Sequence, residues 1–275
     1  MKRHSRKSIV FLAVVLLIMY LPIITVVVYS FNDNPDRNPI RFTGWTTEWY
    51  NQLFAGTRGY GDALGVSLTV AAYSVLISTV IGTMGAVGMA QKAMITRKTN
   101  RLESAMELLV TLPIMIPEII LAMALMTIFY ACNLPFGNLT LVLAHTTFCI
   151  PYIFLMVKSR LVGMDDSLFD AARDLGASPG RVLFDITLPL CRPAIISGMF
   201  LAFAMSMDDF VISFFVYGSD AVTLPVKVYS SVKLGVSPQI NALCTLMIAA
   251  AFTAVAVSQY VQSMRTARNR VIRRA

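Results

Sequence analysis

The sequence predicts an all-α membrane protein with six transmembrane helices and both termini in the cytoplasm, and three observations carry that reading. AVILMFWYC residues make up 56% of the 275 positions and charged residues only 14%, against about 45–50% and about 25% in soluble globular proteins. No soluble monomer of this length has the interior to hide such an excess, so the surrounding solvent is lipid. The apolar residues also gather into runs of about 20, the length at which a helix crosses a hydrocarbon core of about 30 Å. Third, the basic residues lie between those runs and mostly on alternate sides.

The runs cover residues 9–31, 63–90, 107–131, 139–157, 193–217 and 240–261. Lys2, Arg3, Arg6 and Lys7 precede the first, as they would in a secretory signal peptide. Its apolar stretch is too long for a signal core, and no small-residue cleavage site follows before Phe31, so it is read as a retained span. With the N-terminus inside, the outer segments hold only Arg37, Arg41, Arg58, Lys227 and Lys233, and the remaining 18 of the 23 Lys and Arg residues are cytoplasmic. By the positive-inside rule this asymmetry places both termini in the cytoplasm. It also accounts for the net charge of +8 without a nucleic-acid partner.

The chain then divides into a tail and first span (1–31), an outer loop (32–62), a core of five spans (63–262) and a basic cytoplasmic tail (263–275). In the outer loop Phe42, Trp45, Trp49 and Leu53 recur at helical spacing beside Tyr50 and Phe54, which fits either a short amphipathic helix at the membrane interface or a packed loop. Gly82, Gly85 and Gly88 offer a small surface on which transmembrane helices approach closely. Cys132, Cys149, Cys191 and Cys244 show no Cys-x-x-Cys or Cys/His spacing and are read as packing residues, so no metal site is expected.

Between the fourth and fifth spans, residues 165–190 read as an elbow of two short helices. Ser167 and Asp170 have capping-box spacing, Leu168, Ala171 and Leu175 line one face, and Gly176 suits a left-handed stop. Ser178 caps the second helix, with Pro179 at its first position and Val182, Leu183 and Ile186 on its apolar side. Such an elbow is a small, partly apolar knob that either fits a cleft or packs under the bundle.

Asp170-Ala171-Ala172, then Gly176 after three residues, then Ile186-x-Leu188-Pro189 after nine more, resemble the EAA loop of ABC importer permeases, E-A-A-x3-G-x9-I-x-L-P, at every spacing. The one departure, Asp170 for Glu, keeps the charge. Within that family the chain is similar to the second permease of spermidine/putrescine importers through His145-Thr-Thr-Phe-Cys149, Ala171-Ala-Arg-Asp-Leu-Gly-Ala177, Ser206-Met-Asp-Asp209 and Gly235-Val-Ser-Pro-Gln-Ile-Asn-Ala242. The likeness runs from the second span to the sixth. It implies a multi-pass permease of type I ABC importer architecture in a bacterial inner membrane, paired with a sister permease. It further implies two ATPase subunits seated on the loops through Asp170, Ala171, Ala172, Gly176, Ile186, Leu188 and Pro189, and an extracytoplasmic substrate-binding protein that delivers a polyamine. The chain carries no G-x-x-x-x-G-K-[ST], so ATP and Mg belong to the separate ATPase and no cofactor is expected here.

A carboxylate near the bilayer centre costs about 2.5–3.5 kcal/mol on insertion scales, which makes each a candidate functional group. Glu118 falls near mid-depth of the third span, directly after Pro117 and close to Pro113, two residues that loosen the backbone ladder. Asp208 and Asp209 fall in the outer half of the fifth span. Neighbours on a helix point about 100° apart, so the two cannot both aim at one pore. No Lys or Arg inside the spans neutralises these acids, which suits a cationic passenger; the plainer alternative is a set of hydrogen-bonded packing groups.

Phe214, Phe215, Tyr217 and Tyr229 crowd the outer end of the fifth span and the following loop, where rings hold ammonium groups or simply sit at the interface. The expected substrate pathway is Glu118, Asp208, Asp209 and Tyr229, with Lys227 and Lys233 as gate or receptor contacts. His145 reads as a helix–helix hydrogen bonder. A permease for another small solute stays open. A secondary cation transporter is a weaker alternative, because no internal repeat accompanies the acids. An intramembrane enzyme lacks the groups it needs, since His4 and His145 are the only histidines.

Overall fold

The computed structural model describes residues 6–36, 41–56, 58–96 and 101–272. Among the orienting cations, Lys2, Arg3, Arg37, Arg97, Lys98, Arg273 and Arg274 lie outside the described residues. Among the described residues there is no strand, only isolated bridges pairing Asn32 with Trp45 and Gly218 with Ala221. The helices in chain order are α1 (Arg6–Tyr29), α2 (Glu48–Phe54), α3 (Tyr60–Thr96), α4 (Arg101–Met115), α5 (Glu118–Ala131), α6 (Asn138–Val162), α7 (Asp166–Asp174), α8 (Pro179–Arg181), α9 (Leu188–Asp208), α10 (Val211–Val216), α11 (Leu224–Lys233) and α12 (Pro238–Ile272). A π-helical turn, Val182–Thr187, joins α8 to α9.

Among the described residues four helical stretches are long and apolar enough to cross a membrane: Val10–Tyr29, Tyr60–Ala90, Asn138–Val162 and Pro179–Asp208. The third expected run is instead a bent pair, Ser104–Met115 and Glu118–Ala131, that turns through 105°. Pro117 is the cause: it lacks an N–H, disfavours helical geometry at Ile116, and sits at φ −53°, ψ 129°. The sixth run lies within the long α12, whose apolar part is the shorter stretch Pro238–Thr253.

The fifth run is displaced at both ends from the expected 193–217. It starts at Pro179, because the π turn carries the chain past Pro189 without a break: the Leu188 N–H bonds back to the Leu183 carbonyl, and Thr187 Oγ1 donates to the Val182 carbonyl at 3.0 Å. The second helix of the elbow is therefore continuous with the span. At the other end the helix stops at Asp208, and Asp209 is extended at ψ 118°.

The chain packs as two compact units, Met1–Gly61 with Val228–Ala275, and Asp62–Lys227. In the first, α12 packs against α1 and α2. No side chain of Val10–Tyr29 is buried, so α1 is apolar all round and exposed, as a helix in lipid is. Of the outer-loop aromatics, Trp49, Tyr50 and Phe54 lie on the short helix α2 with Leu53, and Phe42 and Trp45 lie in the segment before it. Among the described residues of this loop Glu48–Phe54 is helical, and Phe42 and Trp45 meet edge-to-face in the preceding segment at 4.8 Å between centroids. Trp49 Nε1 donates to the Asn32 carbonyl at 2.8 Å, which fixes α2 to the end of α1.

In the second unit α6 is central, and Ile153, Phe154 and Val157 are fully buried. Gly82 of α3 meets it on one side: a Cβ there would stand 3.0 Å from the Ile150 carbonyl oxygen and 3.1 Å from the Phe154 nitrogen. Gly198 of α9 lies against the same turn, a Cβ there falling 3.4 Å from Ile153 Cα. Without water to drive apolar burial, such close backbone approach is what holds transmembrane helices together. Gly85 lies under the Phe154 ring, whereas Gly88 faces open space.

Candidate functional site

The acids meet where two helices break. Asp209 follows the last residue of α9, and its carboxylate accepts from the Ile212 N–H at 3.1 Å, the Ser213 N–H at 2.8 Å and the Ser213 hydroxyl at 2.7 Å. It thereby satisfies backbone donors that the start of α10 would leave orphaned. His145 Nε2 lies 3.3 Å from Asp209 Oδ2 and 3.0 Å from Ser213 Oγ, while Nδ1 lies 2.7 Å from Ser206 Oγ. The network assigns a consistent set of donors: the Ser206 hydroxyl donates to Nδ1, and Nε2–H donates toward Asp209. All four side chains are buried. His145 is thus the helix–helix hydrogen bonder its sequence position implied.

Glu118 opens α5, on the far side of the Pro117 bend, and α5 packs closely against α10. That packing brings the Glu118 carboxyl into the neighbourhood of Asp209 and Asp208, although 89 residues of sequence intervene between Glu118 and Asp208. Unlike Asp209, both Glu118 and Asp208 are exposed on this chain. Among the described residues neither forms an ion pair with a cation.

Sequence reasoning assigned no role of their own to Ser206 and Ser213. A signal was present for the serines: they flank Asp209 at spacings of three and four, which returns them to one side of a helical turn.

Of the other expected site residues, Lys227, Tyr229 and Lys233 all lie on α11. Lys227 closes the unit that holds the acids, and Tyr229 and Lys233 belong to the other unit. Tyr229 and Lys233 are exposed and Lys227 is half-buried. Lys158, at the edge of α6, pairs with Glu107 of α4 and so is engaged away from the acids.

The elbow is built by local bonds. Asp165 caps α7, accepting from the Ser167 N–H at 3.0 Å, and that bond holds its carboxyl below the usual carboxylate range. The cap therefore stands two residues before the expected Ser167–Asp170 box, because an aspartate ahead of Ser167 reaches the open N–H first. Gly176 has φ +77°, and the two bonds of a Schellman motif close the helix: Gly176 N–H to the Arg173 carbonyl at 2.8 Å and Ala177 N–H to the Ala172 carbonyl at 3.0 Å. Ser178 Oγ then accepts from the Arg181 N–H, and Pro179 takes the first helical position, as its residue type requires.

Phe169, Ala172 and Val182 form the small core of the elbow, with Ala177 and Ile186 against it. Leu168, Ala171 and Leu175 face outward, Leu175 being 88% exposed, and Phe184 joins them at 66%. Asp170 is also exposed, 3.8 Å from Arg173 Nη1. The signature residues are thus divided: Ala172 and Ile186 pack the elbow, Gly176 turns it, Asp170 and Ala171 face outward, and Leu188 and Pro189 begin α9.

The chain is similar to known proteins in sequence and in fold. The chain is 40% identical over 238 residues to the putrescine transport system permease protein PotI of Escherichia coli K12, covering 84% of this chain and 82% of the relative. It is 37% identical over 251 residues to the spermidine/putrescine transport system permease protein PotC of Haemophilus influenzae, covering 91% and 94%. The fold matches the crystal structure of a bacterial ABC transporter involved in the import of the acidic polysaccharide alginate, at a TM-score of 0.67 and 12% identity, covering 96% of this chain and 99% of that one. It also matches an inward-facing MetNI methionine ABC transporter, at 0.58 and 17%, covering 76% and 94%. Residues 82–273, which contain the elbow and the acids, match one family throughout, and the chain belongs to that family, the binding-protein-dependent transport system inner membrane components.

Proposed function

We propose that this permease subunit of an ABC importer moves polyamines, and that Glu118 and Asp208 line the path of their ammonium groups. The observation that carries the reading is the placement of these two exposed carboxyls at two helix breaks, Glu118 opening α5 and Asp208 ending α9 just before α10, which packs on α5, with no cation of this chain neutralising either among the described residues. Asp208 is also the last residue of α9, where the negative end of the helix dipole opposes a carboxylate by about 0.3–1 kcal/mol. A passing cation relieves both terms. The named relatives are putrescine and spermidine/putrescine permeases, which supports the same passenger. Asp209 serves by holding the break, its acceptors being occupied within the protein. Tyr229 offers an exposed ring to an ammonium group, and Lys227 and Lys233 act as gate or receptor contacts.

In this reading the bent pair and α12 complete six crossings of a bacterial inner membrane, with both termini cytoplasmic. A sister permease completes the pore, and a substrate-binding protein delivers the polyamine from outside. The exposed apolar face of the elbow, Leu168, Leu175 and Phe184, seats an ATPase pair that holds ATP and Mg. A face of that kind in contact with water calls for a partner cleft. The test is ATP-dependent uptake by the reconstituted complex with its receptor, comparing putrescine and spermidine with neutral and anionic solutes of similar size. Accumulation of the diamine or triamine is expected, and import confined to the neutral or anionic solute would overturn the reading.

A further inference from the structure

The one local mark of the stop of α9 at Asp208 is Asp209, whose carboxylate caps the start of α10. Residues 199–217 contain neither glycine nor proline, and apart from two serines and the two aspartates they are apolar or aromatic, so their pattern continues a buried helix. The cap fixes the start of α10 but not the end of α9, so the break as a whole also draws on tertiary bonds. Three parts of the chain have to be fixed to hold it: the end of α9, the extended residue Asp209 and the start of α10. One side chain from outside touches all three. His145, on α6, bonds Ser206 in the last turns of α9 through Nδ1, and through Nε2 reaches both Asp209 and Ser213 of α10. It is 1% exposed and its ring lies tilted against Phe148 at 5.3 Å between centroids, so it has no freedom to seek other partners.

The consequence falls on the acids. Asp209 caps α10 with both carboxylate oxygens, and a buried carboxylate keeps such a place only while its charge is compensated by hydrogen bonds. With Asp209 held and α10 docked on α5, Asp208 is left exposed at the helix end and Glu118 faces the same break.

We propose that His145 is a positioning residue for transport: by pinning the α9–α10 break through Asp209, Ser206 and Ser213, it sets the placement of Asp208 and Glu118 without touching the passenger. The role in transport rests on the pathway reading above, whereas the pin itself does not.

Two measurements on the full assembled complex separate the two claims. The first uses a background in which the four native cysteines are replaced, and follows labelling of Asp208→Cys by a water-soluble thiol reagent. His145→Ala should slow labelling about tenfold, as residue 208 is drawn into a continuous helix, and His145→Gln, which keeps a donor and an acceptor, should restore most of the rate. An unchanged rate in His145→Ala overturns the pin, whatever happens to uptake.

The second measurement is polyamine uptake per assembled complex. His145→Ala should lower it about tenfold in the native background and by less than about twofold when Glu118→Gln and Asp208→Asn are already present, since a positioning effect has nothing left to act on. The same tenfold loss in both backgrounds would mark a general structural role and overturn the positioning claim. Normal uptake by Glu118→Gln/Asp208→Asn would instead overturn the pathway reading, leaving the labelling result to judge the pin. Should His145→Ala fail to assemble, Ser206→Ala frees one ring nitrogen and is read by the same criteria.

Discussion

The imidazole Nε2 of His145 lies 3.3 Å from Oδ2 of Asp209, two buried side chains from α6 and from the break after α9. Asp209→Ala removes the acceptor for two backbone N–H groups and leaves His145 and Ser213 partly unmatched. A lost cap costs about 0.5–2 kcal/mol, and each buried group left unsatisfied about 1–3 kcal/mol. The expected loss for Asp209→Ala is therefore about 3 kcal/mol, read as a lowered unfolding midpoint in detergent, with Asp209→Asn losing less. An Asp209→Ala protein as stable as the parent would show that the network does not hold this region.

The α3–α6 crossing gives a paired prediction. At Gly82 a Cβ would stand 3.0–3.2 Å from backbone and side-chain atoms of α6, while at Gly88 nothing lies within 4 Å. Gly82→Ala should destabilise by about 1–3 kcal/mol through overpacking. Gly88→Ala should be neutral or stabilise by up to about 1 kcal/mol through helix propensity. Thermal unfolding of the two variants side by side decides it, and equal effects would contradict the packing described.

Gly176 turns the elbow at φ +77°, where a Cβ would meet no neighbour, so a substitution there acts through the backbone alone. Placing Ala in the left-handed region costs roughly 1–2 kcal/mol, and Val, branched at Cβ, costs more. Gly176→Val should insert into the membrane normally yet lose ATPase association and transport. Co-purification of the ATPase with the membrane subunits checks it, and normal recovery with normal transport would refute the coupling role.

The topology is tested by cysteine labelling in a cysteine-free background. Trp45→Cys, at a position 72% exposed, should react with an impermeant reagent added outside intact cells, and Ser5→Cys should react only after the membrane is opened. The reverse pattern would invert the orientation drawn from the basic residues.

The elbow was legible because its determinants are local: a capping serine, a proline at the first helical position and a glycine for the left-handed stop act within a few residues. Even there the start of α7 was misplaced by two residues, since Asp165 and Ser167 compete for the same N–H groups. The bend at Pro117 was half legible, as loosening and not as a turn of 105°. The break at Asp209 was only half legible: an aspartate is a local cap signal, but the apolar run around it continues a helix, and the further partner, His145, lies on α6. For the same reason Glu118 and Asp208 appeared as separate acids at different depths, and only the packing of α10 on α5 brings them together.

The most direct test of the account is polyamine uptake by the Glu118→Gln/Asp208→Asn double variant, normalised to assembled complex, with receptor and ATP saturating. Both substitutions keep shape and most hydrogen-bonding capacity, and a neutral amide is easier to place in a membrane than a carboxylate, so assembly should be unaffected. Removing two charges that offset the desolvation of each ammonium group, at about 1.4 kcal/mol per tenfold in rate, should lower uptake at least about a hundredfold. Uptake at the parental rate would contradict the claim that these carboxyls serve the passage of a cation.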